Sequence, residues 1–242
     1  MSGIFATTSG KGGVGKSSVA TGLGFAFTHL SKSVLLVDMD EGLPSLDMIL
    51  GIDDLTVLDL IDALDREDIK SAVYETKTPN LYLVPAPTKT GLINPEKLES
   101  FIRKAEALYD VVILDFPAGL DFSLYSALPR KTVFLTVATP DPVSVRDAAA
   151  VSRALEEKQI KSRLIINRFS LKESLKRKYN SIDGIIDISS LQLLGLVPED
   201  RELNAITQTH RLRKRNRAMK AFLRIAQRLL DAQIKLPKLK KI

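Results

Sequence analysis

Ten residues near the start of the chain, SGKGGVGKSS at 9–18, restrict its fold more than any other stretch. Gly10, Gly15, Lys16 and Ser17 satisfy G-x-x-x-x-G-K-[ST], a spacing with chemical meaning only where a loop leaves a strand and opens a helix. Both flanks fit. Residues 4–8 are apolar and β-branched, and behind the loop Val19, Leu23, Phe27 and Leu30 recur at spacings of four, four and three, an apolar helical stripe. In that setting the glycines turn successive backbone N–H groups toward phosphate oxygens, with the positive end of the helix behind them. Lys16 is placed to neutralise the β and γ phosphates of a nucleotide, and the Ser17 hydroxyl to hold Mg²⁺. Gly12, Gly13, Val14 and Ser18 complete the cradle.

The rest of the chain repeats the strand-then-helix alternation. Short apolar runs at 4–8, 34–38, 81–85, 111–115, 132–138, 164–167 and 193–197 are separated by longer segments of helical period, such as 142–158 behind Pro142. Most runs are continuously apolar, as strands covered on both faces are. The expected fold is therefore α/β, a mostly parallel sheet of about seven or eight strands with helices on both faces. Residues 1–232 are read as one domain and 233–242 as a basic C-terminal tail. Residues 170–188 read as a helix followed by a loop around Gly184.

A magnesium phosphate site needs carboxylates at the carboxyl ends of neighbouring strands. LLVDMD ends a strand at Asp38, with Asp40 two residues on, and VVILDFPAG ends another at Asp115. Asp115 is in the position of an acid that binds the metal through water, and Gly119 is placed to bring a backbone N–H to the γ-phosphate. His29 and His210 lack the Ser or Asp surroundings of a catalytic triad and read as structural. DREDIK, 65–70, reads as a solvated helix face. The absence of cysteine removes disulfides, thiolate metal sites and iron–sulfur chemistry, and fits a reducing, cytoplasmic setting. No apolar run approaches the roughly 20 residues of a spanning helix.

Charge is uneven. Residues 211–242 hold 12 Lys/Arg against Asp231 alone, which leaves 23 basic and 28 acidic residues of the chain's 35 and 29 elsewhere. A segment of +11 on a body of −5 points to a polyanionic partner, an anionic membrane surface or DNA. Ala218, Phe222, Ile225 and Leu229 form an apolar helical face, and Lys214, Arg217, Arg224 and Arg228 fall on a separate basic stripe.

Lys11 exceeds what a phosphate loop requires. Because it precedes the glycines, its side chain is expected to leave its own site and reach the nucleotide of a facing subunit, the role of a finger acting in trans. Here the residues resemble a family. KGGVGKSS is similar to the deviant Walker A loop of the ParA/MinD ATPases, a SIMIBI-type branch of the P-loop NTPases. VDMDEGLPSLDMILG, NLYLVPA, DFPAGL, PVSVRDA, INR and LLGLVPED follow in the order found in the family's MinD branch. The resemblance implies ATP and Mg²⁺ as ligands, a homodimer in the ATP state, and a partner protein that stimulates hydrolysis. It implies Lys11 as the signature lysine, Asp40 as the residue that positions the attacking water, and Ser17, Asp38 and Asp115 around the metal. Asn167, Pro198 and Asp200 correspond to adenine-contacting positions. The implied role is spatial regulation of cell division with peripheral attachment to the inner face of the membrane; DNA partition, or a nucleotide-gated scaffold with little turnover, are the alternatives.

Two departures stand out. Phe116 occupies a position where the family carries a small residue in D-x-P-A-G. The tail, IKLPKLKKI, has no aromatic residue and is interrupted by Pro237, unlike the amphipathic helix that ends MinD proteins.

Overall fold

The apolar runs pair side by side because each is too apolar to leave either face in water. The structure, a computed structural model, describes residues 3–172 and 181–236. In chain order the strands are β1 (Gly3–Thr8), β2 (Val34–Asp38), β3 (Tyr74–Glu75), β4 (Leu81–Val84), β5 (Val111–Asp115), β6 (Val133–Ala138), β7 (Ser162–Phe169) and β8 (Leu193–Pro198). They form one sheet in the order β3-β4-β2-β5-β1-β6-β7-β8. Every pairing is parallel except that of β3 with β4. The two-residue β3 carries no periodicity that a sequence reading detects; it exists because Tyr74 and Glu75 fold back on Leu83 and Tyr82.

The helices are α1 (Lys16–His29), α2 (Leu46–Leu50), α3 (Leu60–Asp65), α4 (Pro95–Leu108), α5 (Phe122–Ser126), α6 (Pro142–Glu157), α7 (Ile182–Ser189), α8 (Arg201–Asn204), α9 (Ile206–Thr209) and α10 (Arg217–Leu229). On one face of the sheet α1 and α10 share a core with Phe5, Leu36, Ile113, Leu135 and Ile165. On the other face α3, α4 and α5 enclose Leu35, Val112, Leu114 and Phe134. Val145 and Ala148 of α6 and Ile185 of α7 close that face over Ile166. β1 lies between β5 and β6, so the chain departs from it in both directions. The loop after β1 therefore opens at the switch point, on the carboxyl edge where open α/β sheets bind ligands.

The contact between α1 and α10 is close because Gly22 has no side chain. A methyl group there would stand 2.3 Å from the Phe222 ring, and Phe222 itself is fully buried. Phe222→Ala is expected to lower stability by about 3–5 kcal/mol, read from the shift in urea midpoint at unchanged slope.

Two expectations are corrected. The β-branched stretch around Gly184 is a helix, α7, not a loop. The Ser181 side chain caps it by accepting the Gly184 N–H, Asp183 sits in its first turn, and Ile185 is buried beneath it. The helix expected before it falls mostly on residues 173–180, outside the described residues. The basic stripe is also broken. The helix begins only at Arg217, capped by Asn216, so Lys214 lies ahead of it. Arg228 turns inward, donating from Nε to the Ile234 carbonyl at 2.7 Å and from Nη1 to the Leu194 carbonyl at 2.5 Å. The apolar face of α10 is as expected: Ala218, Phe222 and Ile225 are buried and Leu229 packs against the same core.

Candidate nucleotide site

The glycine loop owes its path to backbone that L side chains rarely adopt. Gly15 (φ 89°) is the residue from which α1 springs, and a side chain there would collide with the Asn167 amide at 2.4 Å. Asn167, on β7, donates from Nδ2 to the Val14 carbonyl at 2.8 Å and so ties the loop to a strand two places away in the sheet.

Asp38 and Asp115 stand in register at the ends of adjacent parallel strands. Asp38 is buried, and both of its oxygens are engaged. Oδ1 accepts the Asp40 N–H at 3.0 Å, and Oδ2 accepts those of Ser45 and Leu46 at 2.9 and 3.0 Å. One carboxylate thus ties both ends of the 40–46 segment to the end of β2. Burial, with Asp115 alongside, nonetheless pushes the Asp38 carboxyl up to about 7, against the pull of those three N–H groups. Asp115 accepts the Thr7 hydroxyl at 2.5 Å and bonds to that of Ser17, and burial raises it as well. Ser17 in turn accepts the Ser45 hydroxyl at 3.2 Å.

The two lysines of the loop part company. Lys16 points into the site, where burial pushes its ammonium below the ordinary lysine value while Asp115 and Asp40 pull it back. Asp40 is raised by its own burial and lowered by Lys16. Lys11 points away and pairs with Asp141, the N-cap of α6, at 3.5 Å, with 44 % of its side chain exposed.

Of the other expected site residues, Gly119 donates its N–H to the carbonyl of Ser9, the first residue of the loop, at 2.9 Å, so that N–H is already engaged. Pro198 ends β8. The Asp200 carboxylate caps α8 through the Glu202 and Leu203 N–H groups and accepts the Asn216 amide at 2.9 Å. Phe116 is accommodated in the core: its ring meets Tyr125 edge-on with centroids 4.9 Å apart, and the Tyr125 hydroxyl bonds to Thr8 at 3.0 Å and to the Gly119 carbonyl at 3.3 Å. His210 is structural, its Nδ1 lying 3.2 Å from the Ile49 carbonyl. Sequence reasoning missed Thr7, Ser45, Tyr125 and Asp141, each of which also meets a partner distant along the chain: Asp115, Ser17, Thr8 and Lys11.

The site fits a magnesium nucleotide. The Asn167 Oδ1 is a buried acceptor without a partner, and no atom lies within 4 Å of where side chains on Gly12 or Gly13 would stand. Among the described residues no cluster of three or more His, Asp or Glu chelates a metal.

Asp38 also makes a pH prediction. Its folded value lies above the ordinary carboxyl value of 3.8, so the folded state holds a proton that the unfolded chain has released. The contribution to stability is full below about pH 4 and declines as pH rises toward 7, by at most about 1.4 kcal/mol per pH unit. Urea midpoints taken from pH 4.5 to 8 should fall relative to those of Asp38→Asn over that window and run parallel above it.

The chain matches the CobQ/CobB/MinD/ParA nucleotide binding domain over residues 5–212 and belongs to that family. It is 35% identical over 208 residues to the septum site-determining protein MinD of Synechocystis, covering 84% of this chain and 78% of the relative. It is similar to MinD in the MinC:MinD cell division complex of Aquifex aeolicus (TM-score 0.87, 32% identity, 98% and 99% of the two chains). It also resembles the septum site-determining protein MinD complexed with Mg-ADP from Pyrococcus horikoshii (TM-score 0.80, 25% identity, 97% and 100% covered).

Proposed function

We propose that this chain is an ATP-driven switch of the MinD type: it dimerises through the glycine-loop face, attaches to an anionic membrane surface, and marks where a cell divides. The observation that carries this reading is the divergence of Lys11 from Lys16. One lysine serves its own site and the other is held ready beside it.

ATP would lie along residues 10–18, with Lys16 on the β and γ phosphates and Asn167, Pro198 and Asp200 toward the base. Ser17, Asp38 and Asp115 would hold Mg²⁺, which supplies charge neutralisation on the phosphates when bound. Lys16 contributes a cation already desolvated, which costs no reorganisation as charge shifts. Asp40, next to that cation, orients the attacking water. Asp38 holds Asp40 in place through its backbone N–H. Lys11 releases Asp141 and crosses to the partner subunit's nucleotide. Gly119 reaches the γ-phosphate only when its bond to Ser9 opens, which makes the segment from Asp115 to Gly119 sensitive to nucleotide. Residues 1–232 act as the nucleotide domain and 233–242 as the tail.

The relatives named MinD, including one in complex with MinC, support a role in septum placement and a protein partner. The broken basic stripe favours lipid over DNA, because the inward turn of Arg228 takes a cation from the surface that nucleic acid would need.

Co-sedimentation with anionic vesicles in ATP or ADP, with duplex DNA as competitor, tests this. The protein should pellet with lipid in ATP only and resist DNA. Salt-sensitive, ATP-dependent retention by DNA without lipid binding would instead make it a partition ATPase. Failure to release phosphate on any surface would leave a nucleotide-gated scaffold.

A further inference from the structure

One cavity lies away from the glycine loop. It has a volume of about 700 Å³ and lies among α5, the segment that follows it, the amino ends of β6 and β7, and the chain leaving α6. In a parallel sheet that is the edge opposite the glycine loop. Its volume is that of a small-molecule site.

Three rings form its floor. Tyr125 meets Phe122 at 5.8 Å and Phe134 at 4.8 Å, both edge-on, so the three rings pack into one apolar wall. Thr132 lines the same cavity. It is 3 % exposed, and its hydroxyl is buried without a hydrogen-bond partner. A buried hydroxyl left unpaired is costly, and a ligand atom seated in the cavity is the partner it lacks. Arg130, Lys158 and Lys161 stand at the rim. Lys158 leans over the Phe122 ring, with its ammonium 5.9 Å from the centroid. Among the described residues that line the cavity there is no carboxylate.

We propose that this cavity is a second ligand site, built for a small acid with a flat apolar body and a single sulfonate, phosphate or carboxylate group. The rings take the body, Thr132 meets a polar edge, and the rim cations take the acid. The site connects through Tyr125 to the end of β1 and to Gly119. Tyr125 forms part of its floor, and the hydroxyl of that ring bonds to Thr8, at the end of β1, and to the Gly119 carbonyl. A ligand that prefers one position of Tyr125 therefore alters nucleotide affinity, and the effect is reciprocal.

The probe is 8-anilinonaphthalene-1-sulfonate, an aromatic acid that fluoresces when bound, titrated into the full chain with and without Mg-ADP. The expected result is one saturable site that persists in excess Mg-ADP. Lys158→Glu combined with Lys161→Glu should weaken it about tenfold or more. The uncharged N-phenyl-1-naphthylamine should bind correspondingly less tightly. Ser126→Trp, an exposed position on the cavity wall, should abolish binding by filling the space, with circular dichroism confirming that the fold is kept. Three results would each overturn the proposal: no saturable binding, complete displacement by Mg-ADP, or equal affinity in both variants and for the uncharged probe.

Discussion

Replacing Lys16 by glutamine is expected to lower phosphate release by about a hundred- to a thousandfold. The expectation follows from where the ammonium sits, not from the motif alone. Burial strips it of water and pushes its protonation down, while Asp115 and Asp40 hold it charged. A cation desolvated in advance acts on developing phosphate charge without reorganisation, and single preorganised donors of this kind contribute about 10²–10³ in rate. Glutamine keeps the length and a donor but removes the charge, and it leaves Asp115 and Asp40 facing each other unneutralised. Nucleotide affinity should fall as well, because the lysine acts on ground state and transition state alike. Single-turnover phosphate release and fluorescent-nucleotide titration separate the two effects. Turnover within tenfold of the parent would show that this ammonium does not serve the phosphates.

Lys11→Ala gives a different pattern. Nucleotide affinity of the single subunit stays within a few-fold, whereas surface-stimulated turnover drops by about 10³ or more, the range seen when a cation acts in trans. The pair with Asp141 is long, 3.5 Å, and both side chains are well exposed, 44 % and 38 %. Such pairs contribute about 0–1 kcal/mol, so the lysine is easily released and its loss leaves folding stability unchanged. Light scattering in ATP should report a dimer for the parent and a monomer for the variant. A parent turnover number independent of protein concentration, or a variant that still dimerises, would place Lys11 outside any shared site.

Much of this was legible along the chain. Seven apolar runs became seven parallel strands, and the loop at 9–18 lies on the carboxyl edge of the sheet as the motif requires. Asp38 and Asp115 could be located because each ends such a run. The missed site residues share one physical character. Thr7 meets Asp115 across 108 residues and Tyr125 meets Thr8 across 117, pairings that exist only once distant segments lie side by side. Arg228 looked like surface by its spacing, yet the start of β8 offers it a carbonyl, and a guanidinium with a satisfied donor tolerates partial burial. The α7 segment read as loop because its apolar residues are β-branched, and a cap together with burial of Ile185 outweighed that weak preference.

What the sequence determined by itself is therefore local: the glycine loop, the periodicities that separate strand from helix, and carboxylates placed where strands stop. These follow from backbone sterics and from side chains within a few residues of one another. Tertiary structure alone decided the strand order, and with it the register of Asp38 against Asp115, the opposed aims of Lys11 and Lys16, and the fit of Phe116 against Tyr125. Each depends on the free energy of packing two helical layers against one sheet. That quantity belongs to the whole chain, and no short stretch of it carries the information.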